Sequence, residues 1–209
     1  MPAKKNRLDM AARWNKIYRE ENEPPRLHEP ADIVREVARL RKTGTVLDLG
    51  VGQGRNALFL ATKGFSVVCV DVSKVAIRQF RDYAEKLGVE VKGVAEDITQ
   101  FEFDQKYDII ISIGTLNLLQ KEDAIELIER IKANTKSHGL NAVMAFTELD
   151  PLQLISFLFE SNELKRLYKG WKIVTYKESP TSLHEYDKEG RTHRHTNADL
   201  LAQKTGYNP

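Results

Sequence analysis

The sequence predicts an α/β fold, with a mostly parallel sheet covered by helices on both faces and an antiparallel C-terminal edge. Three observations predict it. Short apolar runs of strand length alternate with helix-spaced segments from Thr45 to Phe146. One of those runs, Val46-Leu47-Asp48-Leu49, ends in a turn with a glycine at every second position: Gly50, Gly52 and Gly54. Late in the chain, two strand-like runs flank a polar loop. The 209 residues suit one domain with an appendage: an N-terminal arm or lid over residues 1–30, then a single domain over 31–209.

Leu8 to Arg19 has amphipathic helical spacing and carries Trp14, Ile17 and Tyr18. Three prolines, Pro24, Pro25 and Pro30, interrupt it. Ala31 to Lys42 repeats the helical pattern through Ile33, Val34, Val37 and Leu40, and Thr43-Gly44 stops it. Three strand-led units follow. Thr45 to Leu49 leads to a helix over Arg55 to Lys63, and Ser66 to Val70 to a helix over Lys74 to Leu87. Val89 to Ala95 leads to the turn Glu96-Asp97-Ile98. Tyr107 to Ile113 reads as a buried strand, Ala124 to Ala133 as a helix and Gly139 to Phe146 as a strand. Ser161 to Leu167 reads as a helix opening on the capping pattern Ser161-Asn162-Glu163-Leu164. Trp171 to Tyr176 and Thr192 to Gln203 are the late strands.

Composition excludes several classes of function. Apolar residues make up 41% of the chain, enough for a real core. Thirty-two Lys and Arg nearly balance thirty Asp and Glu, and a net charge of +2 argues against nucleic-acid or membrane partners. No apolar stretch is long enough to span a bilayer. The first residues, Met1 to Arg7, are basic without the apolar segment of a signal peptide. The single cysteine, Cys69, forms no intrachain disulfide, and a cytoplasmic, reducing location fits. Within Val67-Val68-Cys69-Val70 it reads as a core residue, not a catalytic thiol.

The glycine turn narrows the ligand. Gly50 and Gly52 match the first two glycines of a nicotinamide loop, but Arg55 stands where the third is needed. Gly54 is followed by Arg55-Asn56, so no P-loop is present. Asp48, just before the turn, disfavours a pyrophosphate and favours a cationic ligand. S-adenosylmethionine (SAM), with an ammonium and a sulfonium group, is such a ligand. Asp71 ends the next strand, where a carboxylate can take both hydroxyls of a ribose. The alternative role for Asp71 is to cap the helix from Lys74, which Ser73 would do equally well. Glu96 and Asp97 end the third strand and can accept from an adenine amino group, or simply shape a turn.

With these residues in place, positions 43–147 resemble the class I SAM-dependent methyltransferases. Asp48-x-Gly50-x-Gly52-x-Gly54 looks like that family's first motif, Val70-Asp71-Val72-Ser73 the second, and Ala95-Glu96-Asp97-Ile98 the third. Tyr107 to Ser112 looks like the fourth strand. The resemblance implies a Rossmann-like, seven-stranded sheet. It also implies a cofactor site of Asp48, Gly50, Gly52, Gly54, Arg55, Asp71, Val72, Glu96, Asp97, Ile98 and Ser112. Ser112 would face the sulfonium, and S-adenosylhomocysteine (SAH) would be the product.

A narrower resemblance is to the tellurite-resistance methyltransferases. It rests on Arg26-x-His28, on Gly54-Arg55-Asn56 and on Glu163 to Trp171. Leu183-His184-Glu185, followed by Asp187 and Gly190, completes it. That family is implied to methylate tellurite, and often selenite. His184 and Arg191 are then the candidate catalytic residues, cationic donors that hold an oxyanion acceptor. The chain departs from the family pattern at Val51, usually Cys, and at Glu185, where the family has an arginine. Rival acceptors are small organic molecules such as a thiol, an amine or a quinone precursor, and a second rival is a protein that binds SAM without turnover. His193, Arg194 and His195 lie together in the last strand-like run; two histidines without a further ligand at fitting spacing make a weak metal signal, and no metal is expected. The partner is expected to be a small molecule, with monomer and homodimer both open.

Overall fold

A computed structural model describes residues 2–20, 29–148, 156–180 and 196–206, with side chains from Met10 onward. Seven strands form one mixed sheet in the order β3-β2-β1-β4-β5-β7-β6. The chain divides into two compact units, residues 1–111 and 112–209.

In the first unit, α1 (Pro2–Glu20) and α2 (Asp32–Leu40) precede the alternation β1 (Thr45–Leu49), α3 (Arg55–Thr62), β2 (Ser66–Asp71), α4 (Lys74–Lys86), β3 (Val91–Ala95) and β4 (Tyr107–Ile113). β1 pairs in parallel with β2, from Thr45 against Ser66 to Leu49 against Val70, and with β4, from Val46 against Ile109 to Asp48 against Ile111. Val46, Leu47, Leu49, Val70, Ile109, Ile110 and Ile111 are buried, as parallel strands covered on both faces require. Chain order reverses across β1 and β4, the kind of switch point where open α/β sheets bind ligands.

Each helix of this unit buries one stripe. α4 turns Val75, Ala76, Ile77, Phe80 and Ala84 inward. Its N-cap is Ser73, whose hydroxyl accepts from the Ala76 N–H at 3.1 Å, and Gly88 at φ +65° follows its last turn. Asp71 therefore does not cap α4, and its carboxylate is left for other contacts. α2 buries Ile33, Val34 and Val37, and its entry is pinned where the Ala31 N–H donates to Asn56 Oδ1 at 2.9 Å.

The second unit is antiparallel beyond β5. β5 (Thr135–Glu148) pairs with β7 (Thr196–Gln203), and β7 with β6 (Lys172–Pro180). The predicted antiparallel addition is therefore present, with the last strand inserted between its two predecessors. β5 is longer than predicted, and a 3-10 turn, Leu116–Leu118, was not foreseen. α5 (Lys121–Ala133) buries Ala124, Leu127, Ile128 and Ile131. The short α6 (Glu163–Leu167) begins two residues later than the capping pattern predicts. The Ser161 hydroxyl donates to Glu178 Oε2 at 2.7 Å, while Glu163 Oε2 accepts from the Glu160 N–H at 2.7 Å. The reaching-back glutamate of the capping pattern is present, but its serine is engaged elsewhere.

α3 has a left-handed N-cap, Gly54 at φ +88°, with no side-chain cap. A Cβ there would drive into the Phe80 ring. Gly64, at φ +90°, has open space where its Cβ would be. We expect Gly64→Ala to lose about 1–2 kcal/mol of stability to backbone strain alone. Gly54→Ala should lose about 1–3 kcal/mol more through the clash. Equal urea midpoints for the two variants would show that Phe80 does not constrain the loop.

Candidate cofactor-binding site

The site is built in the first unit, at the carboxyl ends of β1, β2 and β3. Leaving β1, the chain turns through Gly50, Gly52 and Gly54, all at positive φ (84°, 54° and 88°). The turn is fastened to β2: the Gly50 and Val51 N–H groups both donate to the Val70 carbonyl, at 2.8 and 3.2 Å. The Gly54 N–H closes the turn on the Val51 carbonyl at 2.9 Å. Gly52 has a second reason to be glycine, because the Tyr18 hydroxyl lies 3.0 Å from where a Cβ would stand.

Asp71 holds this corner together. Its Oδ2 accepts from the Gly52 N–H at 3.0 Å and its Oδ1 from the Ser73 N–H at 2.8 Å. Its carbonyl accepts from the Glu96 N–H at 2.9 Å, which brings the end of β3 alongside. Burial raises its carboxyl above the ordinary range, and the two N–H bonds oppose that rise. A carboxylate offers about four acceptor positions. Two are used, so Asp71 retains capacity for a pair of hydroxyls.

Asp48 is different. It is buried, with 3% of its surface exposed, and has no cationic partner among the described residues. Burial, reinforced by the charge of Asp71, pushes its carboxyl up to about 8. The same burial and the two acids push the Cys69 thiol up, and Cys69 is an inert core residue as the sequence predicts. A buried acid without a counterion beside an open glycine turn is suited to a ligand that brings its own positive charge.

The remaining expected cofactor residues vary in how they are used. Asp97 spends Oδ1 on a turn, accepting from the Thr99 N–H at 2.9 Å and the Thr99 hydroxyl at 2.8 Å. Ile98 is buried, Val72 and Glu96 are half-buried, and Arg55 is exposed at the first position of α3. Ser112, in the second unit, is fully buried, and its hydroxyl has no hydrogen-bond partner among the described residues. His184 and Arg191 lie outside the described residues, as do Arg26, His28, His193, Arg194 and His195.

The sequence reading missed Asn15 and Asn117, and the bond that Asn56 makes. Asn15 Oδ1 accepts from the Ser73 hydroxyl at 2.9 Å and from the Val75 N–H at 3.1 Å. In the second unit Asn117 accepts from the Phe146 N–H at 2.7 Å and donates to the carbonyls of Phe146 and Phe157. A readable signal existed for Asn15. Asparagine is a poor helix-interior residue, and one within an amphipathic pattern is often recruited by a polar partner.

This fold is that of the SAM-dependent methyltransferase class. A SAM-dependent methyltransferase from Methanosarcina mazei has the same fold at 19% identity, with a TM-score of 0.67, covering 85% of this chain and 99% of that one. The family model for tellurite resistance protein TehB matches residues 11–201, and the chain belongs to that family. A probable SAM-dependent methyltransferase TehB from Haemophilus influenzae is 33% identical over 176 residues, which are 83% of this chain and 61% of the relative. The crystal structure of TehB from Haemophilus influenzae superposes with a TM-score of 0.77 at 32% identity, covering 83% of this chain and 62% of that one. This chain thus spans about three fifths of the length of those relatives. No helix among the described residues is long and apolar enough to cross a membrane.

The Asp48 titration gives a signed expectation. Its carboxyl titrates near 8 when folded, against 3.8 ordinarily, so between those values the folded chain holds a proton that the unfolded chain has lost. Stability contributed by this group therefore falls as pH rises through that window, and the penalty is complete above it. Asp71 acts in the same direction. Asp48→Asn escapes the penalty. The ligand-free variant should be more stable than wild type by about 1–4 kcal/mol above pH 8, with the gap closing toward pH 4. A gap that does not change with pH in thermal melts would contradict the buried, unpaired state of Asp48.

Proposed function

We propose that this chain transfers the methyl group of SAM to a small acceptor, and that the acceptor is an oxyanion of tellurium or selenium. The single observation that carries the cofactor half is the buried Asp48, uncompensated by any described cation, beside the glycine turn that Asp71 ties down. SAM meets each feature with a matching group. Its ammonium is the missing cation for Asp48, and its carboxylate end lies along the glycine turn. Its ribose diol takes the free acceptor positions of Asp71. Val72 and Ile98 flank the adenine, with Glu96 and Asp97 near its amino group, Arg55 near the methionine end and Ser112 toward the sulfonium.

The reaction needs little from the protein beyond placement. The acceptor's lone pair forms a bond to the methyl carbon as the carbon–sulfur bond breaks, and the electron pair of that bond leaves on sulfur as SAH. Positioning of two reactants can supply roughly 7–11 kcal/mol. A tellurite or selenite lone pair needs no general base. His184 and Arg191 are assigned to hold the anion by charged hydrogen bonds. This half rests on family membership and on those two residues in the sequence. Glu185, a carboxylate where the family has an arginine, favours as second reading a neutral or cationic organic acceptor.

Methyl-labelled SAM offered with tellurite, selenite, and a set of thiols, amines and phenols separates the two readings. Label carried onto tellurium or selenium supports the first, and label only on an organic acceptor supports the second. Transfer to no acceptor defeats both. His184→Ala should lower turnover at least about tenfold, while SAH affinity stays within about twofold. The cofactor's ammonium should also displace the Asp48 proton. SAH affinity should therefore rise with pH up to about 8, by at most about tenfold per unit, with a proton released to buffer in calorimetry. Affinity independent of pH would remove Asp48 from the ammonium site.

A further inference from the structure

We infer that helix α1 is a working part of the cofactor site, and that Asn15 and Tyr18 are positioning residues that set Asp71 and Gly52 from behind. This inference rests on the reading of the glycine turn as a SAM site. The contacts form a continuous chain that leaves α1 and returns to it. Asn15 Oδ1 accepts from the Ser73 hydroxyl, and the Ser73 N–H donates to Asp71 Oδ1. Asp71 Oδ2 accepts from the Gly52 N–H, and the Tyr18 hydroxyl lies against Gly52. Asn15 and Tyr18 are three residues apart, on one face of α1.

The chain of contacts controls the residues that matter. Asn15 Oδ1 also accepts from the Val75 N–H, one of the first-turn donors of α4 that has no partner within its own helix. With α1 removed, the Ser73 hydroxyl and the Val75 N–H both lose their acceptor. Ser73 is fully buried, and its N–H is one of the two bonds that aim Asp71. Tyr18 is itself located: its carbonyl accepts from Gln79 Nε2 at 2.8 Å, and its ring stacks on Trp14 with centroids 5.5 Å apart.

α1 is also weakly attached. None of residues 10–20 is fully buried, and the stripe facing the protein (Met10, Ala11, Trp14, Asn15, Ile17, Tyr18) is only half-buried. Elements with little buried apolar surface occupy the low-stability end of a fold and open locally. A helix that docks weakly and orients two cofactor-contacting residues is coupled to the cofactor. Docking tightens binding, and binding tightens docking by the same factor.

The experiment uses the full chain, with SAH as probe and two readouts. One is calorimetric affinity. The other is the rate of tryptic cleavage after Arg13, Lys16 and Arg19, exposed residues of α1, followed by mass spectrometry. In the wild type, saturating SAH should slow cleavage at these bonds. Asn15→Ala should bind SAH about tenfold more weakly and lose that protection. Asn15→Asp keeps an accepting oxygen at the positive end of α4 and should stay within about threefold of wild type. Wild-type protein that fails to bind SAH overturns the cofactor reading itself. Binding with no slowing of α1 cleavage overturns this inference alone, as does wild-type affinity in Asn15→Ala or an Asp variant as weak as Ala.

Discussion

One buried carboxylate organises the first unit. Asp71 ends β2, receives the glycine turn through the Gly52 N–H, receives the start of α4 through the Ser73 N–H, and offers its carbonyl to β3 at Glu96. Three stretches of the chain, at residues 52, 71–73 and 96, thus meet at one residue. A buried donor left without an acceptor costs about 1–3 kcal/mol, so each of these bonds constrains as much as it stabilises. With Asp71 in place, the turn has one geometry, and its positive-φ glycines lie where a ligand can approach the backbone. In the sequence, Asp71 and the glycine turn are separate signals. Here they are one structure, because the acid holds the turn.

The second unit shows how much of a family likeness is architecture. The Glu163 to Trp171 segment contributes to the tellurite-resistance resemblance, yet its side chains brace the sheet. Leu164 and Tyr168 are fully buried, and Trp171 meets the Tyr168 ring edge-on at 5.4 Å. Glu163 pairs with Lys121 at 2.8 Å, across from the start of α5. At the other end of α5, Lys204 Nζ donates to the carbonyls of Lys132 and Thr135, and Lys132 Nζ donates to the Leu167 carbonyl. Lysines that close a helix C-terminus satisfy carbonyls that have no partner within the helix. The segment that carries part of the resemblance thus serves packing and hydrogen bonding in the second unit.

Legibility in the sequence followed the range of the interaction. Val46 to Leu49, Ser66 to Val70 and Tyr107 to Ile113 were readable as strands because burial on both faces leaves a continuous apolar run. The glycine turn was readable because positive φ selects glycine locally. Ser73 and Asp71 could not be told apart as helix caps, since both are good caps, and only the Ala76 N–H contact decides for Ser73. Ser161 was misassigned because its hydroxyl is taken by Glu178, 17 positions along and in another element. The roles of Asn56 and Asn117 were hidden for the same reason, because each accepts from a backbone N–H brought near only by the fold. Asp97 was read as a ligand contact, and half of its carboxylate turns out to shape a turn.

The placement of Asp48 is costly by any local rule. A carboxylate removed from water without a counterion is destabilised, and here a second acid adds to the penalty. Replacement by a neutral residue would serve the core better, so the acid's retention must be understood through something outside the core. A protonated Asp48 carries no charge of its own, which lets the fold tolerate it near pH 7. A bound cation would reverse the balance, because the attraction between opposite charges grows as water is excluded. The same desolvation that destabilises the carboxylate then sharpens its preference for a positively charged guest over a neutral one. Strain of this kind concentrates where a fold does chemistry. In this chain it lies near the end of β1, just before the glycine turn.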